Sequence, residues 1–446
     1  MNESNGIFKM GQSELIVALD LGSSRIIAMA GGKNEQGLLS VAASAQIETD
    51  ACIRRGLIHN MEETAEKVTQ LIKQLEKETA KDILKVYVGV GGQSLRSEKV
   101  IVSKDLNGAM VDADTLKSLS DEWMKQSESG TETVLQTASV AYVSDGHPEP
   151  NPRGIWCRSL EAQAVLLLGR PFKNNLQSTL EGKVGLSVAG YIPLPVAVAT
   201  AVLSETEKKS GCALIDFGAE TTTLSIYKNS LLKYVVTIPL GGNTVTKDIC
   251  SLDVSMEEAE RLKKSFGSAL VNFDDDEMKK QTTEAWEKEN RQSFNLNELN
   301  DVIQSRMDEI LANVIEQIRL SECQNELEAG IVITGGGAAL KNLLISIREK
   351  TNMNVRLAAV KKTLVNQAAS WATEYANAAI AGLLALGTEN CVQETQRPVE
   401  TKPDDSYLFA DVETIAKQKN TSVKTSKPNK LKNALDKLSK GLFDQE

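Results

Sequence analysis

The chain has 446 residues, 41% hydrophobic and 25% charged, a composition typical of a globular protein with two to four domains. Its formal net charge is −10, so we do not expect it to bind nucleic acid, whose phosphates repel an acidic surface. None of the six cysteines forms a CxxC pair and the two histidines stand apart from them, which argues against a zinc site and favours reduced, mostly buried thiols.

The first apolar run, Leu15 to Leu19, is stopped by Asp20 and follows no basic segment. This pattern predicts a strand rather than a signal peptide. No stretch reaches the ~18 continuous apolar residues that a membrane span needs. We therefore expect a chain that does not cross a membrane by itself.

A strand followed by Asp-x-Gly and hydroxyl residues occurs twice. The residues concerned are Asp20, Gly22, Ser23, Ser24 and Arg25 in the first copy, and Asp216, Gly218, Thr221 and Thr222 in the second. A second apolar strand follows each copy, so each predicts a β-hairpin whose turn binds phosphate through backbone N–H groups and hydroxyls. We expect Asp20 and Asp216 to hold a hydrated Mg²⁺ between the two turns, through water.

Two further glycine motifs follow in the second half. The Gly241-Gly242 pair comes one strand after the second hairpin, and Gly335-Gly336-Gly337 ends a buried strand, where glycines let a base or ribose approach the backbone. Each motif alone is typical of a tight turn, but all of them in this order indicate a nucleotide site. Neither GxxxxGK[ST] nor GxGxxG is present, which argues against P-loop and Rossmann proteins.

The C-terminal region changes character after Gly387. Residues 388–428 have the polar composition of a flexible linker. A basic amphipathic helix is predicted over 429–446, with its apolar face formed by Leu431, Leu435, Leu438, Leu442 and Phe443. From Lys417 onward, eight lysines stand against three acidic residues. Such a helix suits an anionic membrane surface, although docking on another protein or on the body of the chain fits the same pattern.

Together these motifs resemble the actin, Hsp70 and sugar-kinase superfamily and, within it, the bacterial cell division protein FtsA. The stretches 55–58, 85–92 and 375–383 are similar to further FtsA segments. The resemblance implies an α/β, actin-like two-lobed ATPase fold of duplicated ribonuclease H-like domains. It also implies an inserted small α+β subdomain, 1C, and a C-terminal amphipathic helix on a flexible linker.

The domain boundaries that this resemblance implies are as follows. The first lobe, 1A, comprises 13–83, 167–209 and 370–387; subdomain 1C comprises 84–166; the second lobe, 2A, comprises 210–242 and 329–369; and subdomain 2B comprises 243–328.

The resemblance implies that ATP and Mg²⁺ bind the phosphate motifs, and that Glu260 and Lys263 flank the adenosine. The i,i+3 spacing of that pair also fits a solvated helix face. Glu220 stands where the family often has glycine, and we expect it to point to solvent. Because residues 195–203 contain no Glu, Gln or Asp to position a water, we predict slow hydrolysis at most.

The resemblance also implies a protein that polymerises on the cytoplasmic side of the bacterial inner membrane at the division site. It would anchor the FtsZ ring there, with Arg306 binding the FtsZ C-terminal peptide and 1C recruiting other division proteins. An ordinary exposed helix charge is the alternative for Arg306. For the whole chain, the alternatives are a small-molecule kinase of the same superfamily and a PilM-like pilus assembly protein.

Overall fold

The computed structural model describes residues 14–34, 36–127, 132–170, 173–271, 295–365 and 370–394. The chain divides into two compact units, Met1–Thr395 and Gln396–Glu446. The second unit lies outside the described residues. The part of the predicted 388–428 linker that follows residue 394, the helix predicted over 429–446 and the residues predicted to face the membrane therefore lie outside them too.

The first lobe is built on a five-stranded sheet in the order β12-β7-β1-β2-β3. Its strands are β1 (Ile16–Leu21), β2 (Arg25–Lys33), β3 (Leu39–Glu48), β7 (Lys85–Val90) and β12 (Ser187–Pro193). Strands β1 to β3 form antiparallel hairpins, whereas β7 and β12 run parallel to β1. The strands are apolar and largely buried because helices cover the sheet.

The second lobe repeats this arrangement. Strands β15, β14, β13, β16 and β17 lie side by side, with two antiparallel hairpins followed by two parallel strands. Their bounds are β13 (Cys212–Phe217), β14 (Thr222–Lys228), β15 (Leu231–Ile238), β16 (Ile331–Thr334) and β17 (Val355–Leu357). The same strand order in both halves is the duplicated architecture that the sequence predicts.

The insertion between the parallel strands of the first lobe begins later than predicted. The sequence assigns it to 84–166, but β7 belongs to the first sheet, between β1 and β12. The inserted piece consists of β8 (Arg96–Asp105), α2 (Ala113–Ser127), β9 (Thr133–Ser144), β10 (His147–Glu149) and β11 (Ser159–Gly169). Its sheet joins the second lobe, because β8 pairs with β15 at Arg96 and Val236.

The helices and short strands complete both lobes. They are β4 (Ile53–Arg54), β5 (Leu57–Ile58), α1 (Met61–Thr79), β6 (Lys81–Ile83), α3 (Lys173–Gln177), α4 (Leu194–Val202), α5 (Glu205–Ser210), α6 (Gly242–Ile249), α7 (Met256–Phe266), α8 (Leu296–Leu320), α9 (Leu343–Thr351), α10 (Ala378–Leu386) and β18 (Val392–Glu394). Apolar residues of α4 and α10 form one core with both large sheets. Within the described ranges, every helix is too short or too polar to cross a membrane.

The start of the predicted linker is folded onto the first lobe. Strand β18 pairs with β6, and the hydroxyl of Tyr87 accepts hydrogen bonds from the backbone N–H groups of Thr388 and Glu389, at 3.1 and 2.9 Å. Lys81 and Lys85 pair with Glu394 and Glu389. Residues 388–394 are therefore part of the body, and the linker begins no earlier than 395. The polar, charged stretch 273–300 falls mostly outside the described residues.

Candidate nucleotide-binding site

The two predicted phosphate hairpins face one cavity of about 500 Å³ between the lobes. This volume lies within the usual range of small-molecule sites, roughly 300–1,000 Å³. Fifteen of the sixteen predicted nucleotide-binding residues line it: Asp20, Gly22, Ser23, Ser24, Arg25, Asp216, Gly218, Thr221, Gly241, Gly242, Glu260, Lys263, Gly335, Gly336 and Gly337. The cavity thus brings together motifs that are more than three hundred residues apart in sequence, from Asp20 to Gly335.

Asp20 and Asp216 are the penultimate residues of the first strands of the two hairpins, at equivalent places in the two sheets. Burial raises the pKa of each to about 6; Arg25 opposes the shift at Asp20, whereas the charge of Asp20 adds to it at Asp216. Both carboxylates are therefore still mainly ionised at pH 7.5. Two adjacent anionic oxygen donors fit a hydrated divalent cation, which would relieve their mutual repulsion.

The turn of the first hairpin is held by its own lobe. Gly22 is required there because a Cβ would lie 2.7 Å from the carbonyl oxygen of Arg25. Ser23 Oγ accepts a hydrogen bond from the N–H of Gly56, at 2.9 Å, so its hydroxyl hydrogen can face the cavity. The guanidinium of Arg25 donates to the side chains of Gln46 and Asn377, which fixes it beside Asp20.

The second hairpin differs from the prediction at two points. Thr222 does not line the cavity: it is fully buried and its hydroxyl donates to the carbonyl of Leu240 at 2.9 Å. Strand alternation instead directs Thr223 and Ser225 to the cavity, and the sequence analysis missed both. The N–H of Gly218 donates to the carbonyl of Thr221 at 2.8 Å, so this amide stabilises the turn rather than facing a ligand.

Glu220 does not point to solvent as the sequence analysis expects. It lines the cavity, half-buried, and one carboxylate oxygen accepts a hydrogen bond from the N–H of Arg55 in the first lobe, at 2.6 Å. The carboxylate therefore crosses the cleft at the end where the phosphate turns meet. Gly56, Gly91 and Gly92 line the cavity beside this contact.

Glu260 and Lys263 form one polar cluster on α7, which faces the cavity. Their charged groups are 2.6 Å apart, and both contact the hydroxyl of Thr246 on α6. Burial would raise the pKa of Glu260, but Lys263, Thr246 and Lys264 together outweigh burial and hold this pKa below its usual range. Burial lowers the pKa of Lys263 despite Glu260. A solvated helix face does not describe this pair, because Lys263 is largely buried and also donates to the carbonyl of Gly242.

The three glycines after β16 have different environments. Gly335 has φ +88°, and a Cβ there would lie 2.3 Å from Oδ1 of Asp216. Gly336 is exposed to the cavity, where the nearest atom to an added Cβ is 3.7 Å away, on Ala376. Gly337 packs against Phe217. Gly335 and Gly337 thus fit the strand end closely, while Gly336 leaves room for a flat ring.

Arg306 lies on α8, outside this cavity, in a shallow surface cleft shared with Asp248, Asp301, Ser305 and Glu309. Its guanidinium donates to the carboxylates of Asp248 and Glu309, and its side chain is 24% exposed. The hydrogen bond to Asp248 raises the pKa of Arg306. An incoming carboxylate would therefore have to compete with two acids already bound to this arginine.

The thiols agree with the sequence analysis. All six cysteines are free, and Cys52, Cys157, Cys212 and Cys391 are buried. Burial raises the pKa of Cys212 to about 12, which keeps it protonated and inert.

Several known proteins are similar to this chain. The family profile described as "Cell division protein FtsA" matches residues 213–382. "Cell division protein FtsA" of Porphyromonas gingivalis is 32% identical over 350 residues, covering 75% of this chain and 70% of that protein. Its counterpart in Bacillus subtilis is 28% identical over 355 residues, covering 78% and 79%.

Among solved structures, the "PilM-PilN type IV pilus biogenesis complex" is similar, with a TM-score of 0.60 and 14% sequence identity. The match covers 84% of this chain and 99% of that one. At this identity the likeness is one of fold alone. Together with the repeated sheets, it confirms the actin-like α/β fold class.

Proposed function

The chain belongs to the FtsA family of cell division proteins. We propose that it binds Mg-ATP between its lobes and polymerises on the inner face of the cytoplasmic membrane, where it anchors the FtsZ ring. The observation that best supports nucleotide binding is the convergence of fifteen predicted residues on one cavity. Asp20 and Asp216 would hold the cation, and the Gly335–Gly337 turn with the Glu260–Lys263 pair would flank the adenosine.

The proposed role of ATP is that of a conformational ligand more than a substrate. Helix α4 lines the cavity with Leu194, Pro195 and Val198, all apolar. None of these side chains can take a proton from an attacking water. Binding free energy is then available to stabilise one arrangement of the lobes, and thereby the polymer, without rapid turnover.

Membrane attachment is proposed from the C-terminal sequence. A single short helix with few aromatic residues binds a membrane weakly, but many copies in one polymer share the surface and bind together. Arg306 is the proposed contact for the FtsZ C-terminal peptide. A carboxylate of the peptide would replace Asp248 and Glu309 as the partner of this arginine. The sequence relatives favour a role in cell division over a role in pilus assembly, because the pilus protein is similar in fold alone.

Co-sedimentation with anionic vesicles tests the membrane and nucleotide parts together. The full chain and a variant ending at Pro428 are each compared with and without Mg-ATP. We expect only the full chain to pellet with vesicles, and Mg-ATP to increase the pelleted fraction. If both proteins stay in the supernatant, the C-terminal segment is not a membrane anchor. If pelleting does not respond to Mg-ATP, the nucleotide does not control assembly.

A further inference from the structure

Glu220 gives the second hairpin a feature that the phosphate-binding role does not explain. Its carboxylate lines the cavity and binds the N–H of Arg55 across the cleft, at 2.6 Å. We name this contact the Glu220 bridge. An acidic residue at the turn of a phosphate hairpin is unexpected, because phosphate oxygens repel it.

The partner of Glu220 is a tightly fixed turn. Arg55 and Gly56 both have positive φ, +47° and +74°. A Cβ on Gly56 would lie 2.7 Å from the Cα of Gly92, and the carbonyl of Arg55 accepts a hydrogen bond from the N–H of Gln93 at 3.0 Å. The donor therefore cannot follow the carboxylate if the lobes move apart. Because the N–H of Gly56 in the same turn donates a hydrogen bond to Ser23, this turn also holds the first phosphate hairpin in position.

The charge of Glu220 is poorly compensated. Among the described residues Glu220 forms no ion pair, and a single backbone amide is its hydrogen-bond donor. Within the described ranges, no three acidic, histidine or cysteine side chains are grouped so that they could hold a metal ion, so Glu220 does not join Asp20 and Asp216 in one metal site. Its negative charge faces the same cavity as theirs, and the guanidinium of Arg25 donates hydrogen bonds to Gln46 and Asn377 rather than to Glu220. The arrangement disfavours further negative charge between the two turns.

From this geometry we propose that Glu220 is a specificity-determining residue that weakens the binding of the terminal phosphate of ATP and thereby narrows the difference in affinity between ATP and ADP. The inference rests on the proposed nucleotide site. The adenosine end of the cavity lies at Lys263 and the Gly335–Gly337 turn, and the phosphate end lies where the hairpin turns meet. The terminal phosphate therefore comes closest to Glu220 and competes with it for the N–H of Arg55.

Calorimetric titration with Mg-ATP and with Mg-ADP tests this role. The variants are Glu220→Gln, which removes the charge but keeps the shape, and Glu66→Gln, a matched loss of charge on the exposed face of α1. We expect Glu220→Gln to tighten ATP binding roughly tenfold and ADP binding distinctly less. This is the size of effect expected when one negative charge near the terminal phosphate is removed in partly solvated surroundings. Glu66→Gln should change neither. Unchanged or weaker ATP binding in Glu220→Gln, or an equal gain for ADP, would overturn the proposal.

Hydrogen exchange of the nucleotide-free protein tests the bridge separately. Glu220→Ala removes the acceptor, so the amide of Arg55 should exchange about fivefold faster, while Glu66→Ala leaves it unchanged. If the amide is insensitive to Glu220→Ala, the bridge does not exist and the inference fails. If exchange responds but no variant binds either nucleotide, the proposed nucleotide site fails and the phosphate role of Glu220 fails with it, while the bridge stands.

Discussion

Replacing the first and second glycines after β16 separates folding from ligand binding. In Gly335→Ala, the new residue must adopt φ +88° and ψ 166°, a region that is essentially reserved for glycine and costs about 1–3 kcal/mol. Its Cβ would also lie 2.3 Å from Asp216 and 2.6 Å from the carbonyl of Phe217. Relieving such crowding costs about 1–3 kcal/mol more. The total loss in free energy of unfolding should be roughly 2–6 kcal/mol.

Gly336→Ala should behave differently, because Gly336 has no positive φ and open space around it. Its stability should stay within about 0.5 kcal/mol of the parent, whereas the methyl group in the cavity should weaken Mg-ATP binding at least about fivefold.

Gly37→Ala is the matched control for conformation. Gly37 is exposed, has φ +77° and would meet nothing within 4 Å, so this substitution should cost about 1–2 kcal/mol and leave ATP binding unchanged. Urea denaturation and calorimetric titration measure both quantities. Two results would contradict this prediction: Gly335→Ala no more destabilising than Gly37→Ala, or Gly336→Ala binding Mg-ATP as tightly as the parent.

Three further predictions concern charge, partner binding and the docked segment. Because burial raises the pKa of Asp20 to about 6, this carboxylate favours the folded state below about pH 4, and that contribution is lost as the pH rises through 6. Asp20→Asn should therefore raise the free energy of unfolding by up to about 3 kcal/mol at pH 7.5 but not at pH 4, as urea denaturation at both pH values would show. The same substitution should weaken Mg²⁺-dependent nucleotide binding, measured by calorimetric titration with Mg-ATP. Arg306→Glu should abolish binding of a fluorescent FtsZ C-terminal peptide, measured by anisotropy. Arg319→Glu, which removes an arginine paired with Glu316 on the same helix, should leave this binding unchanged. Equal peptide affinities of the two variants would contradict the assignment of Arg306. Tyr87→Phe removes the acceptor for two backbone N–H groups and should lower the free energy of unfolding by about 1–3 kcal/mol, with faster hydrogen exchange at 388–394; an unchanged exchange rate would show that other contacts hold this segment.

The fold class could be predicted because its evidence is local and repeated. Each hairpin carries Asp, Gly and hydroxyl residues within a few positions, and two copies in the same order carry the resemblance that implies two similar lobes. The residues of these short motifs also located most of the cavity. Thr223 and Ser225 could have been found by the same means, since the twofold alternation of a strand places Thr221, Thr223 and Ser225 on one face and Thr222 on the other.

The errors concern contacts between distant parts of the chain. The apolar run of β7 has the same local pattern whether it joins the first sheet or the insertion, and only its pairing with β1 and β12 decides. The polar residues after Gly387 have a linker composition, but backbone pairing with β6 and the hydroxyl of Tyr87 fold them onto the first lobe. Likewise, the partner of Glu220 is 165 positions away, and nothing near Glu220 in the sequence indicates it.

Flotation of FtsZ with anionic vesicles measures whether this protein attaches FtsZ to a membrane. Purified FtsZ is mixed with vesicles and Mg-ATP, together with the full chain, the variant ending at Pro428, or no further protein. We expect FtsZ to rise with the vesicles only when the full chain is present. With Arg306→Glu, FtsZ should stay behind while the variant itself still floats. If the full chain floats with the vesicles but FtsZ remains at the bottom, this protein does not anchor the FtsZ ring.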